Sequence, residues 1–533
     1  MTKGFISAAA IVLAWTSVIL GLPPAAHAEP AQKDRCAALM ATDFSRIQDA
    51  PTQIIRAKSV KAEGEYPDYC LVEGYVTPTV GFELRLPETW NNKLVQIGCG
   101  GFCGGTRFTA ETAQCSDAVR RGYTCVVSDQ GHKSQMNDGA WALNNLQGKV
   151  DYGFRAIHVT IIAARGIAEK YYGVPPKRAY FTGCSGGGRQ ALVAAQKFPE
   201  DYDGIIANDP ASRLGDDFAI FHWNMLAVRA KDGSSLFSPN DIQVLKAAVL
   251  AKCDMNDGVR DGVIGDPRVC NFDPVEILCT ASRTTACLSQ QQVDAARKVY
   301  GGPVDSHGRK LYRSHSMLGS EDGWFTFTSP EGFSSDFMKY MAFDQDPGPN
   351  WDAKTFDWDK DPQRMRLMDA VYAANDPDIR AFRDHGGKLM IIQGWHDDGT
   401  PFSLNTIDYY EMVQKAMDGP AATKAFARLF LVPGRRHCGA GPGANAIDEL
   451  SYLEAWVEQG KAPDMLLARH VPDGDWETQD ATQYFRVPTQ PTTFSRPIYP
   501  YPLQYRYSGH GDPNDASRFI PVDPLRQSPA PKQ

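Results

Sequence analysis

The sequence predicts an α/β fold, in which a mostly parallel sheet carries helices on both faces and one large insertion interrupts it. Short apolar segments alternate with helical patterns in two separate blocks of the chain, as expected for strand–helix–strand units. Between the blocks, over residues 211–385, this alternation gives way to aromatic and acidic residues. The 533 residues are 43% hydrophobic, which fits a globular protein with a sizeable core.

The elements of the two blocks follow from these patterns. The predicted strands are Lys93–Ile97, Thr124–Val127, Ala179–Thr182 and Gly204–Ala207 in the first block, and Lys388–Gln393 and Ala427–Val432 in the second. The predicted helices are Arg155–Tyr172, Arg189–Phe198, Ser403–Ala416 and Ala446–Gln459. The tail after Glu477 is rich in Pro and Tyr, and we expect it to wrap the main domain without a core of its own.

The start of the chain resembles a secretory signal peptide at residues 1–28. Lys3 supplies a positive charge, an apolar stretch follows, and Ala26-His27-Ala28 is a small-x-small cleavage site. A transmembrane anchor is the alternative, but the apolar stretch is interrupted by Ser and Thr and is short for a span. We therefore predict export to the periplasm or the medium, followed by a first domain part at 29–210, an inserted domain at 211–385, and a second part with the tail at 386–533.

The charge balance argues against nucleic acid as a partner. The chain has 55 Lys and Arg against 63 Asp and Glu, a formal net charge of −8, and it has no basic cluster to contact a phosphate backbone. We expect no nucleic-acid partner and no membrane association after signal cleavage. The sequence predicts no particular oligomeric state.

The 12 cysteines are even in number and can pair in an oxidising compartment. Spacing predicts three pairs, Cys36–Cys70, Cys253–Cys270 and Cys279–Cys287, whereas the partners of four further cysteines stay open: Cys99, Cys103, Cys115 and Cys125. A zinc site is disfavoured because the chain has no CxxC pair and its histidines are scattered.

A nucleophile is predicted at Ser185. The segment from Tyr180 to Arg189 reads as a strand, a tight glycine turn and a helix, and its Gly-x-Ser-x-Gly core matches the elbow that lifts a serine hydroxyl above a sheet. A glycine-rich structural turn is the alternative. The apolar strand before the turn and the Ala-rich helix after it favour the elbow.

A serine nucleophile needs a base that is oriented by a carboxylate. In the α/β-hydrolase fold the acid and then the histidine follow the serine along the chain. Asp397 and Asp398 follow one predicted strand, and His437 follows the next. Three other histidines are rival bases that do not fall at the expected place in this order: His132, His222 and His396.

The oxyanion of an acyl-transfer reaction needs backbone N–H donors. Gly186, directly after the nucleophile, can supply one. The glycine-rich loop after the strand Lys93–Ile97 can supply the second, from Gly100 or Gly101. A turn closed by disulfides is the structural alternative for this loop, and the two interpretations are compatible.

Taken together, Cys184-Ser185, the Asp after a strand and His437-Cys438 resemble the CS-D-HC pattern of the tannase and feruloyl esterase family, which includes hydrolases of mono(2-hydroxyethyl) terephthalate. The resemblance covers nearly all of the mature chain and favours Asp397 over Asp398 as the acid. It implies an α/β-hydrolase fold with a large inserted lid domain and a Cys184–Cys438 disulfide. A C-terminal disulfide of relatives has no cysteines here, with Tyr499 near one expected position.

The insertion contains an acidic loop with glycines that can bind a hard cation. The family resemblance implies a structural Ca²⁺ there, held by the side chains of Asp254, Asp257 and Asp261 and by the carbonyls of Val259 and Val263. A solvated acidic turn is the alternative.

The resemblance implies a secreted serine carboxylesterase that acts on small aromatic esters, feruloyl or galloyl, through an acyl-enzyme. A mono(2-hydroxyethyl) terephthalate-type hydrolase is the first alternative, and an amidase or peptidase on the same fold is a more distant one. A noncatalytic binding protein would need a broken triad, and every position is filled. Lid aromatics would form a slot for a planar acyl group, with Trp324 as one candidate.

Overall fold

A computed structural model describes residues 32–64, 66–106, 109–325, 332–397, 399–472 and 492–526, together with residues 1, 2 and 4. The predicted signal peptide therefore lies almost entirely outside the described residues. Within them the predicted fold class is confirmed, because a large, mostly parallel sheet carries helices on both faces. None of the helices in this described part combines the length and apolarity needed to cross a membrane.

Nine strands form the main sheet, in the order β1-β2-β3-β5-β4-β6-β7-β8-β9. They are β1 Thr52–Val60, β2 Tyr69–Val76, β3 Val80–Pro87, β4 Lys93–Gly98, β5 Thr124–Ser128, β6 Arg178–Cys184, β7 Gly204–Asn208, β8 Lys388–Gly394 and β9 Ala427–Val432. Strands β4 to β9 are parallel, and β1 to β3 form an antiparallel extension that joins the sheet through β5. All six predicted strands are present to within two residues, whereas β1 to β3 were not predicted.

Fourteen α-helices are assigned in the described chain. They are α1 Gln32–Ala38, α2 Thr109–Arg120, α3 Leu146–Val150, α4 Ala156–Tyr172, α5 Gly186–Lys197, α6 Leu214–Ala227, α7 Pro239–Cys253, α8 Gln290–Gly301, α9 Phe333–Tyr340, α10 Asp361–Tyr372, α11 Arg380–Asp384, α12 Phe402–Ala416, α13 Pro420–Lys424 and α14 Glu449–Gln459. The four predicted helices correspond to α4, α5, α12 and α14. Helix α5 begins three residues earlier than predicted, because three glycines that disfavour a helix form its first turn.

Each face of the sheet carries its own apolar cluster. Alternate strand residues such as Leu94 and Val95 point to opposite faces, as the two-residue period of a strand requires. Helices α4, α5 and α12 cover one face, and α14 with part of the tail covers the other. The tail adds the hairpin strand β11 Ser495–Ile498, paired with β10 Leu466–Arg469, and the hairpin β12 Gln504–Tyr507 with β13 Phe519–Val522. The tail thus shares the core of the main sheet.

The lid is inserted between two neighbouring strands. Strands β7 and β8 pair in parallel, with Gly204 opposite Lys388, and helices α6 to α11 lie between them in sequence. The lid has an apolar cluster of its own around Leu245, Val293 and Trp324. A second cluster, which includes α6, α9 and α10, packs the lid onto the main domain around Phe102 and Tyr152.

All 12 cysteines are paired. The three pairs predicted from spacing are present: Cys36–Cys70, Cys253–Cys270 and Cys279–Cys287. The four cysteines whose partners stayed open form Cys99–Cys103 and Cys115–Cys125. The sixth disulfide, Cys184–Cys438, joins two loops 254 residues apart.

Arg189 joins three parts of the fold at one point. Its guanidinium is fully buried on α5 and donates to the carbonyls of Tyr152 and Gly153, in the π-helix that precedes α4, and of Tyr372 at the end of α10. Burial lowers the pKa of this guanidinium. Arg189 therefore links α10 of the lid to α5, the helix that follows Ser185.

Replacing Arg189 with Met keeps an apolar stem and removes the donors to these three carbonyls. At ~1 kcal/mol for each unsatisfied acceptor, the free energy of unfolding should fall by about 3 kcal/mol in urea titrations. The control is Arg178→Met, because the Arg178–Asp203 ion pair is half exposed and should contribute under ~1 kcal/mol. Equal losses in the two variants would contradict the role given to Arg189.

Candidate active site

The loops that follow β4, β6, β7, β8 and β9 meet at one edge of the sheet. These strands are parallel, so their carboxyl ends lie side by side. This edge is where open α/β sheets bind ligands. The predicted serine, acid, histidine and oxyanion loop all lie on these loops.

Ser185 occupies a sharp turn between β6 and α5. Its backbone has φ +60° and ψ −117°, a conformation that costs a non-glycine residue about 1–3 kcal/mol. The turn is possible because Gly187 packs against β4, where a Cβ would lie 2.7 Å from the Gly98 carbonyl oxygen. The local sequence therefore forms the elbow that the Gly-x-Ser-x-Gly pattern predicts.

Asp397 and His437 form a hydrogen-bonded pair. The Nδ1 atom of His437 lies 2.7 Å from Oδ1 of Asp397, and Asp397 is 2% exposed. Because Asp397 engages Nδ1, a proton taken up by the ring would go to Nε2. Asp398, the weaker candidate for the acid, lies outside the described residues.

The Cys184–Cys438 disulfide lies between the serine and the histidine. It joins the residue before Ser185 to the residue after His437, with the two Cα atoms 5.6 Å apart. One ring nitrogen of His437 lies within 4.8 Å of both sulfur atoms. The imidazole is therefore held beside the nucleophile turn. Both sulfurs are in the disulfide, so these side chains do not form a thiolate metal site.

The loop after β4 lies in close contact with the first turn of α5. A Cβ on Gly186 would lie 2.6 Å from the Gly101 carbonyl oxygen and 3.3 Å from the Gly101 nitrogen. Gly186 belongs to the first turn of a helix, where backbone N–H groups have no acceptor within the helix. A Cβ on Gly100 would meet no atom within 4 Å. Of the two predicted loop donors, the structure places Gly101 against Gly186.

Three contacts fix the position of the loop after β4. The Cys99–Cys103 disulfide closes it, and the Tyr152 hydroxyl donates to the Gly101 carbonyl at 3.2 Å. His132 Nε2 lies 2.8 Å from the Phe102 carbonyl oxygen. Burial lowers the pKa of His132 to about 4, so the imidazole is neutral at pH 7 and donates this hydrogen bond. Tyr152 was not identified from the sequence, because its contact with Gly101 joins segments 51 residues apart.

The other rival bases have different surroundings from His437. His222 lies in α6 of the lid, 2.9 Å from the Ala353 carbonyl, and burial lowers its pKa to about 4. His396 faces the lid carboxylate of Asp322 at 3.8 Å. His132 supports the oxyanion loop, as described above. Among these histidines, His437 is the one that is paired with Asp397 and joined through the neighbouring disulfide to the Ser185 turn.

A row of aromatic rings connects the oxyanion loop with His437. Neighbouring ring centroids are 5.3–6.0 Å apart along Phe333, Phe102, Phe218, Phe221, Phe402 and His437. Sequence reasoning included the α6 phenylalanines among the lid aromatics but missed Phe402, which starts the helix after the acid loop. Trp324 is 2% exposed and packs against Phe237 and Tyr300 in the core of the lid. Its part in a substrate slot stays a prediction.

The three carboxylates of the predicted cation loop differ in their partners. Asp254 accepts backbone N–H groups of Asp261 and Gly262, and Asp261 is paired with Arg496 at 2.7 Å. Asp257 is buried, and its Oδ2 atom has no hydrogen-bond partner within the described chain. Burial, and then the charge of Asp261, raise the pKa of Asp257 to about 7.

This oxygen-rich set with an unpartnered buried carboxylate oxygen suits a hard cation. The carboxylate oxygens of the three side chains do not, however, all lie within 4.8 Å of one another. Within the described chain, only the potential ligand atoms of Cys184, His437 and Cys438 are that close together. The donor types and the unpartnered oxygen of Asp257 suit Ca²⁺, whereas the three carboxylates are spaced more widely than around one bound ion.

Comparison with known proteins gives consistent similarities. A family model described as tannase and feruloyl esterase matches residues 63–522. An uncharacterised esterase of Xanthomonas campestris is 30% identical over 97% of this chain and 95% of its own. The mono(2-hydroxyethyl) terephthalate hydrolase of Piscinibacter sakaiensis is 30% identical over 88% of this chain and 87% of its own.

The fold has a close counterpart among solved structures. Feruloyl esterase B of Aspergillus oryzae superposes with a TM-score of 0.78 at 22% identity, over 92% of this chain and all of that one. This likeness shows that the two chains share the fold.

The Tyr152 hydroxyl offers a test of the loop geometry. In Tyr152→Phe, the Gly101 carbonyl loses one hydrogen bond of ~1 kcal/mol, which corresponds to about a fivefold loss of kcat on p-nitrophenyl butyrate with KM nearly unchanged. Tyr202→Phe is the matched control, because its buried hydroxyl donates to Gln96 within the main domain. An equal fall of kcat in both variants would reject a specific role for Tyr152.

Proposed function

The chain belongs to the tannase and feruloyl esterase family and hydrolyses esters of aromatic carboxylic acids, and we propose that Ser185 carries out this hydrolysis through an acyl-enzyme. The observation that carries the proposal is the Asp397–His437 pair, held by a disulfide beside a serine on a nucleophile elbow. A serine at its ordinary pKa is a poor nucleophile and needs such a base.

In the first half-reaction, the Ser185 oxygen attacks the ester carbonyl carbon while Nε2 of His437 takes the serine proton. The carbonyl oxygen becomes an oxyanion, and the N–H groups of Gly186 and Gly101 stabilise it by hydrogen bonding. Asp397 keeps the imidazole oriented and stabilises its positive charge. The imidazolium then protonates the leaving alcohol as the C–O bond breaks, which leaves an acyl group on Ser185.

In the second half-reaction, water repeats these steps. His437 takes a proton from the water molecule as its oxygen attacks the acyl carbon, and then returns a proton to the Ser185 oxygen as the acid departs. The net reaction consumes one ester and one water and releases an alcohol and a carboxylic acid. No cofactor takes part in these steps.

The acyl group is proposed to be a hydroxycinnamoyl or galloyl group. We propose that the row of phenylalanines from the oxyanion loop to His437, which packs on the lid side, forms part of an apolar surface that suits a planar ring. A terephthalate monoester has the same planar acyl ring, and the relative from Piscinibacter sakaiensis is named for such an activity. An amide substrate is the more distant alternative, because its amine is a poorer leaving group.

Export is proposed from two features. Residues 1–28 have the pattern of a cleavable signal peptide. Six disulfides suit the periplasm or the medium, where thiols are oxidised.

A structural Ca²⁺ is proposed in the lid loop closed by Cys253–Cys270. The side chains of Asp254, Asp257 and Asp261 would hold it, with the carbonyls of Val259 and Val263. The unpartnered buried oxygen of Asp257 supports this assignment. Bound there, the cation would neutralise the carboxylates and order the loop, away from the reacting atoms.

The triad is tested by Ser185→Ala against a panel of methyl ferulate, methyl gallate, mono(2-hydroxyethyl) terephthalate and p-nitrophenyl butyrate. Wild type should show its highest kcat/KM on one aromatic ester, and Ser185→Ala should lose at least ~1000-fold with an unchanged circular dichroism spectrum. Near-wild-type turnover in Ser185→Ala would reject the nucleophile. Activity on the butyrate alone would reject the aromatic preference, and preferential cleavage of a matched anilide would favour the amidase.

The cation site is tested by chelation. EDTA should lower the Tm of the wild-type enzyme by several degrees, and added Ca²⁺ should restore it, since a ligand at ~100 times its Kd stabilises by about 2.7 kcal/mol. Asp257→Asn should reduce this response, whereas Asp273→Asn, at an exposed lid carboxylate paired with Arg297, should retain it. A Tm that does not respond to EDTA or Ca²⁺ would reject the site.

A further inference from the structure

Asp209 lies at the centre of the catalytic edge although it is not a triad residue. It follows β7, the strand between the nucleophile strand β6 and the acid strand β8. It is 1% exposed, and its backbone has φ +37°, a region that non-glycine residues seldom occupy. A strained, buried carboxylate at this position calls for a specific reason.

The Asp209 carboxylate binds both catalytic loops at once. Its Oδ1 atom accepts hydrogen bonds from the Gly394 backbone at 2.6 Å and from the Gln393 side-chain amide at 3.0 Å. Its Oδ2 atom accepts from the Cys438 backbone N–H at 2.9 Å and lies 3.7 Å from the Cys184 sulfur. Asp209 therefore contacts the acid loop, the histidine loop and the disulfide.

Gln393 connects Asp209 with the triad acid. Its amide nitrogen donates to Asp397 Oδ2 at 2.8 Å as well as to Asp209. Its amide oxygen accepts from the Thr406 hydroxyl at 2.9 Å. Because Thr406 engages the oxygen, the N–H groups of Gln393 face the two carboxylates, with the Gly394 carbonyl as a third acceptor at 3.1 Å.

We propose that Asp209 and Gln393 are positioning residues, which close a ring of hydrogen bonds from the His437 imidazole through Asp397, Gln393 and Asp209 to the backbone N–H of Cys438. The inference rests on the proposed function, since the ring orients the base of that reaction. The side chain of His437 and the backbone of the next residue are thereby tied to one network. Rotation of the imidazole or displacement of its loop requires breaking a bond within it.

The ring also sets the charge around the base. Asp209 faces Asp397 of the acid loop, Arg435 and His437 of the histidine loop, and Glu449 of α14. When Asp209, Asp397 and Glu449 are all ionised, their three negative charges exceed the one positive charge of Arg435. Protonation of His437 reduces this excess of negative charge. Burial, and then the charge of Asp397, raise the pKa of Asp209, so the folded protein bears a cost for keeping it ionised.

An ionised carboxylate is the group that these contacts require. Its oxygens face three N–H donors, and an amide at this position would direct its own N–H groups at one of them. A role confined to core packing would not need this charge. The ring therefore predicts an effect of charge on His437 itself.

The test is Asp209→Asn, measured through the pH dependence of kcat/KM on the best ester of the panel. Loss of a nearby negative charge lowers the pKa of His437. The acid limb, which is the fall of kcat/KM at low pH, should therefore move to lower pH by about 1 unit. Misorientation of the base should also lower kcat about 10-fold or more, with KM changed less than threefold. Asp217→Asn is the matched control, because Asp217 is fully buried in α6, binds the Asn405 amide and also has a raised pKa. It should leave the acid limb in place.

A milder pair of variants covers the case in which Asp209→Asn does not fold. Thr406→Val removes the hydroxyl that fixes the Gln393 amide and keeps the volume, whereas Thr406→Ser keeps the hydroxyl. We expect kcat to fall about 3–10-fold in Thr406→Val and to stay within twofold of wild type in Thr406→Ser. Equal kcat in the two variants would overturn the role of Gln393.

A readout that needs no substrate separates this inference from the proposed function. The downfield proton resonance of the His437 Nδ1–H should titrate at lower pH in Asp209→Asn than in wild type, whether or not the ester is cleaved. An unmoved resonance together with an unmoved acid limb would overturn the inference and leave the esterase standing. Absence of Ser185-dependent hydrolysis in wild type would instead reject the proposed function.

Discussion

The site depends on the covalent bond between Cys184 and Cys438. The proposed nucleophile and base come from loops on opposite sides of the lid in sequence, 254 residues apart at the two cysteines. Productive proton transfer needs the serine and the imidazole to stay within hydrogen-bond reach, and drift of about 1 Å is costly. The disulfide limits that drift directly, because it joins the immediate neighbours of Ser185 and His437. The lid can then vary or move with less effect on the distance between them.

The disulfide lies in backbone that is strained on both sides. Ser185, Asp209 and Cys438 all have positive φ values, on three loops that meet at one edge of the sheet. Such conformations persist only where surrounding contacts hold them. Here the contacts are the disulfide itself, the close approach of Gly187 to β4, and the Asp209 carboxylate that accepts the Cys438 N–H. The strain is thus concentrated where the reacting groups must be presented.

The sequence predicted the parts of this site that depend on local pattern. Ser185 stands in a strand–turn–helix motif, and Asp397 and His437 each follow an apolar strand, so short segments were sufficient to find them. Asp209 and Phe402 were missed because their roles arise only when β7 and α12 are brought beside the triad.

The same distinction applies to the fold. The buried parallel strands were predicted from apolar runs, whereas the antiparallel strands β1 to β3 were not, because polar and charged residues interrupt their apolar pattern. Glu83 and Arg85, for example, are buried in β3 as an ion pair, where a sequence pattern alone suggests exposure. Four cysteines around the oxyanion loop could not be paired, since their spacings allow several connections that only the three-dimensional structure distinguishes.

The lid is part of the catalytic structure as well as a cover for it. Asp322 of the lid is paired with Lys246 and also faces His396 and Arg436 at 3.8 and 3.7 Å, the residues directly before Asp397 and His437. Its contacts with His396 and Lys246 lower the pKa of Asp322, so the carboxylate stays charged over the working pH range. On the opposite side, α6 packs its phenylalanines between the oxyanion loop and α12. Because the lid contacts the loops of Asp397 and His437 and the loop after β4, substitutions among its phenylalanines are expected to act also on the proposed catalytic groups.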